Sequence, residues 1–150
     1  MTVEALEKKK QFEQMGGREM LKKVSKAFYD LVYDEPWIKE FFKDIDQDKI
    51  EAQQVDFMTS ALGGGNVYFG RLPVPAHKHM FITEELFELR QKLLIKAMDE
   101  VQVSDELREK WLKIDDAFKS KLVKNAISDC EKRFNTDEIL FFPNKVKQIA

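Results

Sequence analysis

The chain has 150 residues, a net charge of −2, 43% hydrophobic residues and 35% charged residues. These values suit one globular domain over residues 1–150 and exclude a disordered chain. Lysines and arginines are dispersed along the chain, so we expect no nucleic-acid partner. The sequence contains no run of about 18 apolar residues, so we expect no membrane span. The single cysteine, Cys130, excludes an internal disulfide and indicates a reducing, cytoplasmic location.

Apolar residues recur at helical spacing along most of the chain. One such set is Leu21, Val24, Phe28 and Val32. Helices are predicted at about residues 3–14, 18–33, 48–62, 84–101 and 105–130. Thr83 and Ser104 precede acidic residues and predict helix N-caps, and a short turn is expected after Pro36. No strand-like alternation of useful length occurs, so the sequence predicts an all-α fold.

Two polar residues fall on or beside apolar helix faces. Gln54 shares a face with Ile50 and Phe57, and Tyr29 follows Phe28 beside the apolar stripe of its helix. An amide among apolar groups must be hydrogen-bonded, because leaving it unpaired costs about 1–3 kcal/mol. One interpretation is a core glutamine satisfied by backbone or by Tyr29. The other is that both side chains donate to a small polar ligand in an apolar cavity.

Both histidines, His77 and His79, lie in the stretch GRLPVPAHKHMFIT (residues 70–83), which also holds two of the four prolines. Residues two apart do not share a helix face, so His77 and His79 are poorly placed to bind one metal ion together. Two histidines without a cysteine also make a poor zinc site. A haem iron needs only one protein nitrogen, because the porphyrin supplies four. A solvated or packed side chain is the alternative for either histidine.

Near the C-terminus, the stretch EILFFPNKVKQIA carries an apolar cluster of Leu140, Phe141 and Phe142. The interpretation we favour is that the cluster folds back onto the core. The alternative is a docking site for a second subunit or another partner.

Four segments, in order and at matching spacing, resemble the truncated haemoglobins, the two-over-two globins, most closely those of group I. They are FEQMGG, AFYDLV followed by EFF, QQVDFMTSALGGGNVYFG and GRLPVPAHKHMFITEELF. The resemblance implies a globin-like two-over-two helical sandwich with a core at about 12–130, a short proximal segment and a C-terminal extension at 131–150. It also implies haem b, a diatomic ligand such as O2 or NO, a reductase as a further partner, and a monomer or weak dimer.

The same resemblance implies roles for individual residues. His77 falls on the proximal iron ligand, and Tyr29 and Gln54 fall on distal positions that hydrogen-bond the ligand. Apolar pocket positions fall on Phe42, Ile50, Phe57, Met58 and Phe87.

This chain departs from some relatives at three places. Gln53 falls where some carry a histidine or lysine as internal sixth ligand, so we expect an open or water-bound iron. Ile50 stands where some have glutamine, which implies a smaller distal hydrogen-bond network. HMFIT replaces a third glycine motif near the proximal segment.

Arg71 and His79 are candidates to contact the haem propionates. The alternative is that both are simply solvated charges.

Three functions from different classes follow. The first is a haem protein that reversibly binds diatomic ligands at a five-coordinate-capable iron, with oxygen transport, NO detoxification or peroxidase-like side activity as its uses. The second is a haem-based gas or redox sensor that uses the C-terminal tail as its output. The third is a haem-free helical binding domain. No separate catalytic side chain is expected for any of them.

Overall fold

The computed structural model describes residues 2–144, and these residues form six α-helices and two short 3-10 helices. The α-helices are α1 (Val3–Gln14), α2 (Gly17–Val32), α3 (Gln47–Ala61), α4 (Pro73–His77), α5 (Glu84–Val101) and α6 (Asp105–Leu122). The 3-10 helices are Ile38–Phe42 and Ile127–Asp129. The predicted all-α class is therefore confirmed, and the turn expected after Pro36 is the first 3-10 helix. No helix within residues 2–144 is both long and apolar enough to cross a membrane.

The helices pack as two pairs. α2 packs against α3 in one pair, α5 contacts α6 in the other, and α2 lies across α5 to join them. This is the predicted two-over-two arrangement, and its interior is closed by large side chains that are fully buried: Trp111, Phe28, Leu21, Leu94, Met98 and Leu107. The short helix α4 packs on α6. Its last residue is therefore held at the edge of this core.

Glycines shape the two turns that bring α1 to the core. Gly16 has a φ of +110°, and a Cβ there would lie 2.6 Å from the Cβ of Met20. Gly64 lies against Phe12, whose ring a Cβ would approach to 2.6 Å. Real Cβ atoms do not approach so closely, so both glycine motifs are needed for this packing.

The helix starts follow the capping residues. The hydroxyls of Thr83 and Ser104 each accept a hydrogen bond from a backbone N–H three residues later, at 3.1 Å. These bonds confirm the predicted N-caps of α5 and α6. At the first 3-10 helix, the Glu35 carboxylate accepts from the N–H groups of Trp37 and Ile38 at 2.9 and 2.6 Å. The chain turns here because those otherwise unpaired donors are satisfied.

The predicted end of the last long helix at residue 130 is wrong. α6 ends at Leu122, and Val123 is extended, with φ −72° and ψ 135°. The backbone N–H of Lys124 donates to the Ile82 carbonyl at 2.8 Å instead of continuing the helix. A tertiary hydrogen bond therefore replaces the helical one, and residues 123–144, here named the C-terminal segment, leave in another direction.

The C-terminal segment folds back onto the core, as favoured from the sequence. Leu140 and Phe142 pack against the buried cluster. The indole N–H of Trp37 donates to the Phe142 carbonyl at 2.5 Å, and the rings of Phe41 and Phe142 meet edge to face at 4.9 Å. Phe141 is 45% exposed, so it is the one member of the apolar cluster that stays largely outside. The remainder of the predicted extension, residues 145–150, lies outside the described residues.

Candidate functional site

His77 is the last residue of α4, and its ring is oriented by its own helix. Its Nδ1 lies 2.6 Å from the carbonyl oxygen of Pro73. Because a carbonyl can only accept, Nδ1 carries the proton and Nε2 keeps its lone pair. Burial lowers the pKa of His77 to about 4, against the opposing effect of the Pro73 hydrogen bond. The imidazole is therefore neutral near pH 7, with Nε2 available to a metal.

The backbone after His77 is fixed by the C-terminal segment. The ammonium group of Lys124 donates to the carbonyls of His77 at 3.1 Å and Met80 at 2.8 Å. The Glu131 N–H donates to the Lys78 carbonyl at 2.8 Å, and Leu140 forms an isolated parallel bridge with Met80. These contacts provide hydrogen-bond partners for the backbone after His77, which is not part of a helix. They occur where the sequence HMFIT replaces the expected glycine motif.

His79 has a different environment from His77. Its side chain is 6% exposed, and its Nδ1 is buried without a hydrogen-bond partner among the described residues. Burial lowers its pKa, and the charges of Arg133 and Asp137 act on it next. Arg71 is exposed, with its guanidinium 5.6 Å from the centre of the Phe134 ring. Their roles at haem propionates stay predictions.

Tyr29 lies on α2 and is largely buried as a residue. It is 7% exposed, and its ring lies 4.9 Å from Phe28 and 6.0 Å from Phe42, measured between ring centres. Burial raises the pKa of Tyr29, so the hydroxyl keeps its proton. Within residues 2–144 this hydroxyl makes no hydrogen bond. A hydroxyl that has no protein partner is available to donate to a bound ligand.

Gln54 lies on α3, which packs against the helix that carries Tyr29. The Ser25 hydroxyl donates to its amide oxygen at 2.8 Å. The expected partner, backbone or Tyr29, was therefore wrong, because Ser25 of α2 reaches the amide first. The bond occupies the oxygen and orients the amide nitrogen as a free donor. Gln53, the next residue, is exposed, and Ile50 one turn earlier is half-buried against the core.

The remaining predicted pocket residues form aromatic and apolar walls. Phe87 and Met58 are 2% and 3% exposed. Phe57 is half-buried, and its ring lies 5.3 Å from Tyr68 and 6.3 Å from Phe118, again between ring centres. Neither Tyr68 nor Phe118 was predicted as a pocket residue. Phe118 continues the apolar spacing of α6, which was the available signal for it.

Sequence analysis also missed Arg90 on α5. Its guanidinium lies 5.4 Å from the centre of the Phe28 ring and 5.6 Å from that of Phe87. It pairs with the buried carboxylate of Asp115 at 2.7 Å. Arg90 comes three residues after Phe87, which places both on one helix face. That spacing is a weak signal, because it does not show the contacts of Arg90 with Phe28 and Asp115.

This donor set fits haem better than a bare metal ion. It offers one neutral imidazole nitrogen, two free hydrogen-bond donors and aromatic walls. Between residues 2 and 144 there is no group of three His, Cys, Asp or Glu side chains that could hold a metal ion by itself. A porphyrin supplies the four missing iron ligands, so a single histidine is sufficient.

Comparisons with known proteins give the same assignment. Residues 10–124 match the bacterial-like globin family. The group 1 truncated haemoglobin of Tetrahymena pyriformis is 35% identical over 94 residues, covering 63% of this chain and 78% of the relative. The group 1 truncated haemoglobin GlbN of Synechocystis is 32% identical over 100 residues, covering 64% and 81%.

Solved structures agree with the sequence relatives. The Fe(III) form of the T. pyriformis protein superposes with a TM-score of 0.68 at 30% identity, covering 76% of this chain and 97% of that one. The group II truncated haemoglobin of Bacillus anthracis gives 0.69 at 26% identity, covering 76% and 90%. The chain therefore belongs to the bacterial-like globin family, in its truncated two-over-two form, and this membership implies a haem cofactor and a diatomic gas as ligand.

Proposed function

We propose that this protein reversibly binds O2 or NO at a haem b iron held by Nε2 of His77. Haem supplies an iron that takes up and releases diatomic gases. The observation that carries the proposal is the hydrogen bond from His77 Nδ1 to the Pro73 carbonyl, because it directs the lone pair to Nε2. Cys130 is the only cysteine in the chain, so a c-type attachment through two cysteines is absent and haem b is favoured.

On the other side of the pocket, Tyr29 and Gln54 each present one free donor. Both suit a ligand that gains negative charge on binding, since its outer atom then becomes a better acceptor. Each bond contributes about 1–1.5 kcal/mol, or roughly tenfold in the lifetime of the bound ligand. The apolar residues around them, Phe42, Ile50, Phe57, Met58 and Phe87, limit the entry of water.

Storage or transport of oxygen is the simplest use of such a site. Conversion of NO to nitrate is a further use, and it requires O2 as the source of the two added oxygen atoms and a reductase to supply one electron per turnover. Production of nitrate from NO, measured with and without an added reductant, separates these uses. Stoichiometric nitrate without turnover supports storage, whereas repeated turnover supports NO detoxification.

A haem-based sensor is the second candidate. It is favoured by the direct backbone pairing between residues 78–81 and the C-terminal segment. A displacement of His77 on ligand binding would then reach that segment. Ligand-dependent protease sensitivity within residues 123–144 would support a sensor, and identical digestion with and without ligand would exclude it.

An absorption spectrum tests the proposal. The wild-type protein with haem should give a strong Soret band, and His77→Ala should lose most of it. His79→Asn is the matched control, since it removes the other histidine and should keep the band. A wild-type protein that takes up no haem would support the third class, a haem-free helical domain.

A further inference from the structure

Arg90 brings a positive charge to the wall of the proposed pocket. Its guanidinium stacks over the rings of Phe28 and Phe87, at 5.4 and 5.6 Å from their centres. The Phe28 ring in turn meets the Tyr29 ring edge to face at 4.9 Å. The cation is therefore separated from the Tyr29 ring by a single aromatic side chain. Such stacking fixes the plane of a guanidinium and favours its charge.

Only one side of this guanidinium is occupied. One Nη1–H donates to Asp115 at 2.7 Å, and Asp115 also accepts from Gln91 at 3.2 Å. A guanidinium has about five N–H donors, and the others of Arg90 have no hydrogen-bond partner in the part of the chain that the structure describes. The Arg90 side chain is 33% exposed against 9% for Asp115. Asp115 thus anchors the guanidinium from the interior and leaves further donors free.

The charge of Arg90 acts on the ligand side of the proposed pocket. Its guanidinium lies over the Phe28 ring, which meets the Tyr29 ring edge to face. The same charge opposes the rise that burial causes in the pKa of Tyr29.

Tyr29, Gln54 and Arg90 each offer the proposed pocket a free donor. The Tyr29 hydroxyl keeps its proton, and the amide oxygen of Gln54 is occupied by Ser25, which leaves the amide nitrogen. With Arg90 these groups suit a ligand that only accepts hydrogen bonds. A small anion has this property, and it also gains from the positive charge in a pocket with little water.

We propose that, when the iron is ferric, Arg90 makes this pocket select small anions, of the class of nitrite or azide, over neutral ligands such as imidazole. The inference rests on the proposed haem site and deepens it. Asp115 acts as a positioning residue that holds Arg90, and Tyr29 and Gln54 supply the further donors. The selectivity is a property of this chain's own side chains.

Ligand titrations of the ferric, haem-loaded protein test the proposal. Azide is the anionic probe and imidazole the neutral one, at about pH 8, where imidazole is mostly unprotonated. Arg90→Gln should weaken azide binding roughly tenfold and leave imidazole binding within about twofold, since the positive charge that favours an anion is lost. Arg90→Lys should keep part of the preference, because the charge remains without the fork of donors.

A control is available on the same two helices. Arg108 of α6 pairs with Asp99 of α5, so this pair reverses the arrangement of Arg90 and Asp115. Arg108→Gln removes a comparable ion pair away from the pocket and should leave the azide-to-imidazole ratio unchanged. If Arg90→Gln is poorly folded, the double variant Arg90→Gln/Asp115→Asn removes both charges without leaving a buried carboxylate unpaired.

A second readout uses the protein without haem. Anilinonaphthalene sulfonate and N-phenyl-1-naphthylamine share one fluorophore and differ by a negatively charged sulfonate. Arg90→Gln should weaken binding of the sulfonate probe several-fold and leave the neutral probe unchanged. The expected ratio changes in both assays support the proposal. Equal changes for charged and neutral probes, or none in a haem-loaded protein, would overturn it, whereas a wild type that binds no haem overturns the proposed function as well.

Discussion

Tyr29 and Gln54 lie on two helices that pack against each other, whereas His77 lies on a five-residue helix followed by backbone with no helical support. The Ser25–Gln54 hydrogen bond joins the two long helices directly. The stretch after His77 instead depends on Lys124 and Leu140, which come much later in the chain. Packing between neighbouring helices thus maintains the side with Tyr29 and Gln54, and a segment distant in sequence maintains the side with His77. A substitution on one side should therefore change that side and leave the other unchanged.

The largest expected effect is on the histidine side. Lys124→Met removes the charged donor to the carbonyls of His77 and Met80, which then keep only their backbone N–H partners, at 3.0 Å each. The free energy of unfolding should fall by about 1.5–3 kcal/mol, since hydrogen bonds from a charged group are lost, and haem should dissociate faster. Urea denaturation and haem transfer to a competing globin measure these effects. Lys132→Met, an exposed lysine of the same segment, is the control and should change neither.

A smaller effect is expected on the ligand side. Tyr29→Phe removes a hydroxyl that has no protein partner, so stability should change by less than about 1 kcal/mol. The O2 dissociation rate should rise roughly tenfold, since one donor to the ligand is lost. Flash photolysis or stopped-flow mixing measures that rate. Tyr33→Phe is the matched control, because the Tyr33 hydroxyl donates to the Ile45 carbonyl instead. Equal rates in wild type and Tyr29→Phe would remove Tyr29 from the ligand network.

The smallest effect concerns pH. Hydrogen bonds from Arg133, at 2.8 and 3.0 Å from its side chain, hold the pKa of Asp137 far below its ordinary value. Because the folded-state pKa is depressed, the stabilisation is present above the unfolded pKa of about 3.9 and is lost as pH falls below it. Asp137→Asn should therefore cost stability at pH 7 and flatten its decline below about pH 4. Urea denaturation at pH 7 and at about pH 3 measures the free energy of unfolding of both proteins. A difference between the two proteins that is the same at both pH values would contradict this prediction.

The long helices were predictable from sequence because their signals are local. Helical spacing and the caps at Thr83 and Ser104 act within one or two turns of the chain. The end of α6 was not predictable, since nothing near Lys124 stops a helix, and the competing acceptor is the carbonyl of Ile82. Pairing between segments far apart in sequence leaves no local pattern.

The site residues show the same difference between features with a sequence signal and features that depend on contacts between distant parts of the chain. Resemblance to a family placed His77, Tyr29 and Gln54, but it did not indicate Lys124 or Arg90. A lysine and an arginine in a sequence are typical of solvated surface. Their importance here follows from the carbonyls and aromatic rings that surround them, which only the folded chain shows.

Resonance Raman spectroscopy of the ferrous protein tests the central claim, that His77 holds the iron. The account predicts an iron–histidine stretching band in the wild type, its loss in His77→Gly and its return when free imidazole is added to that variant. His79→Asn should keep the band. A band that persists in His77→Gly without imidazole, or that disappears in His79→Asn, would contradict the assignment of His77 as the ligand.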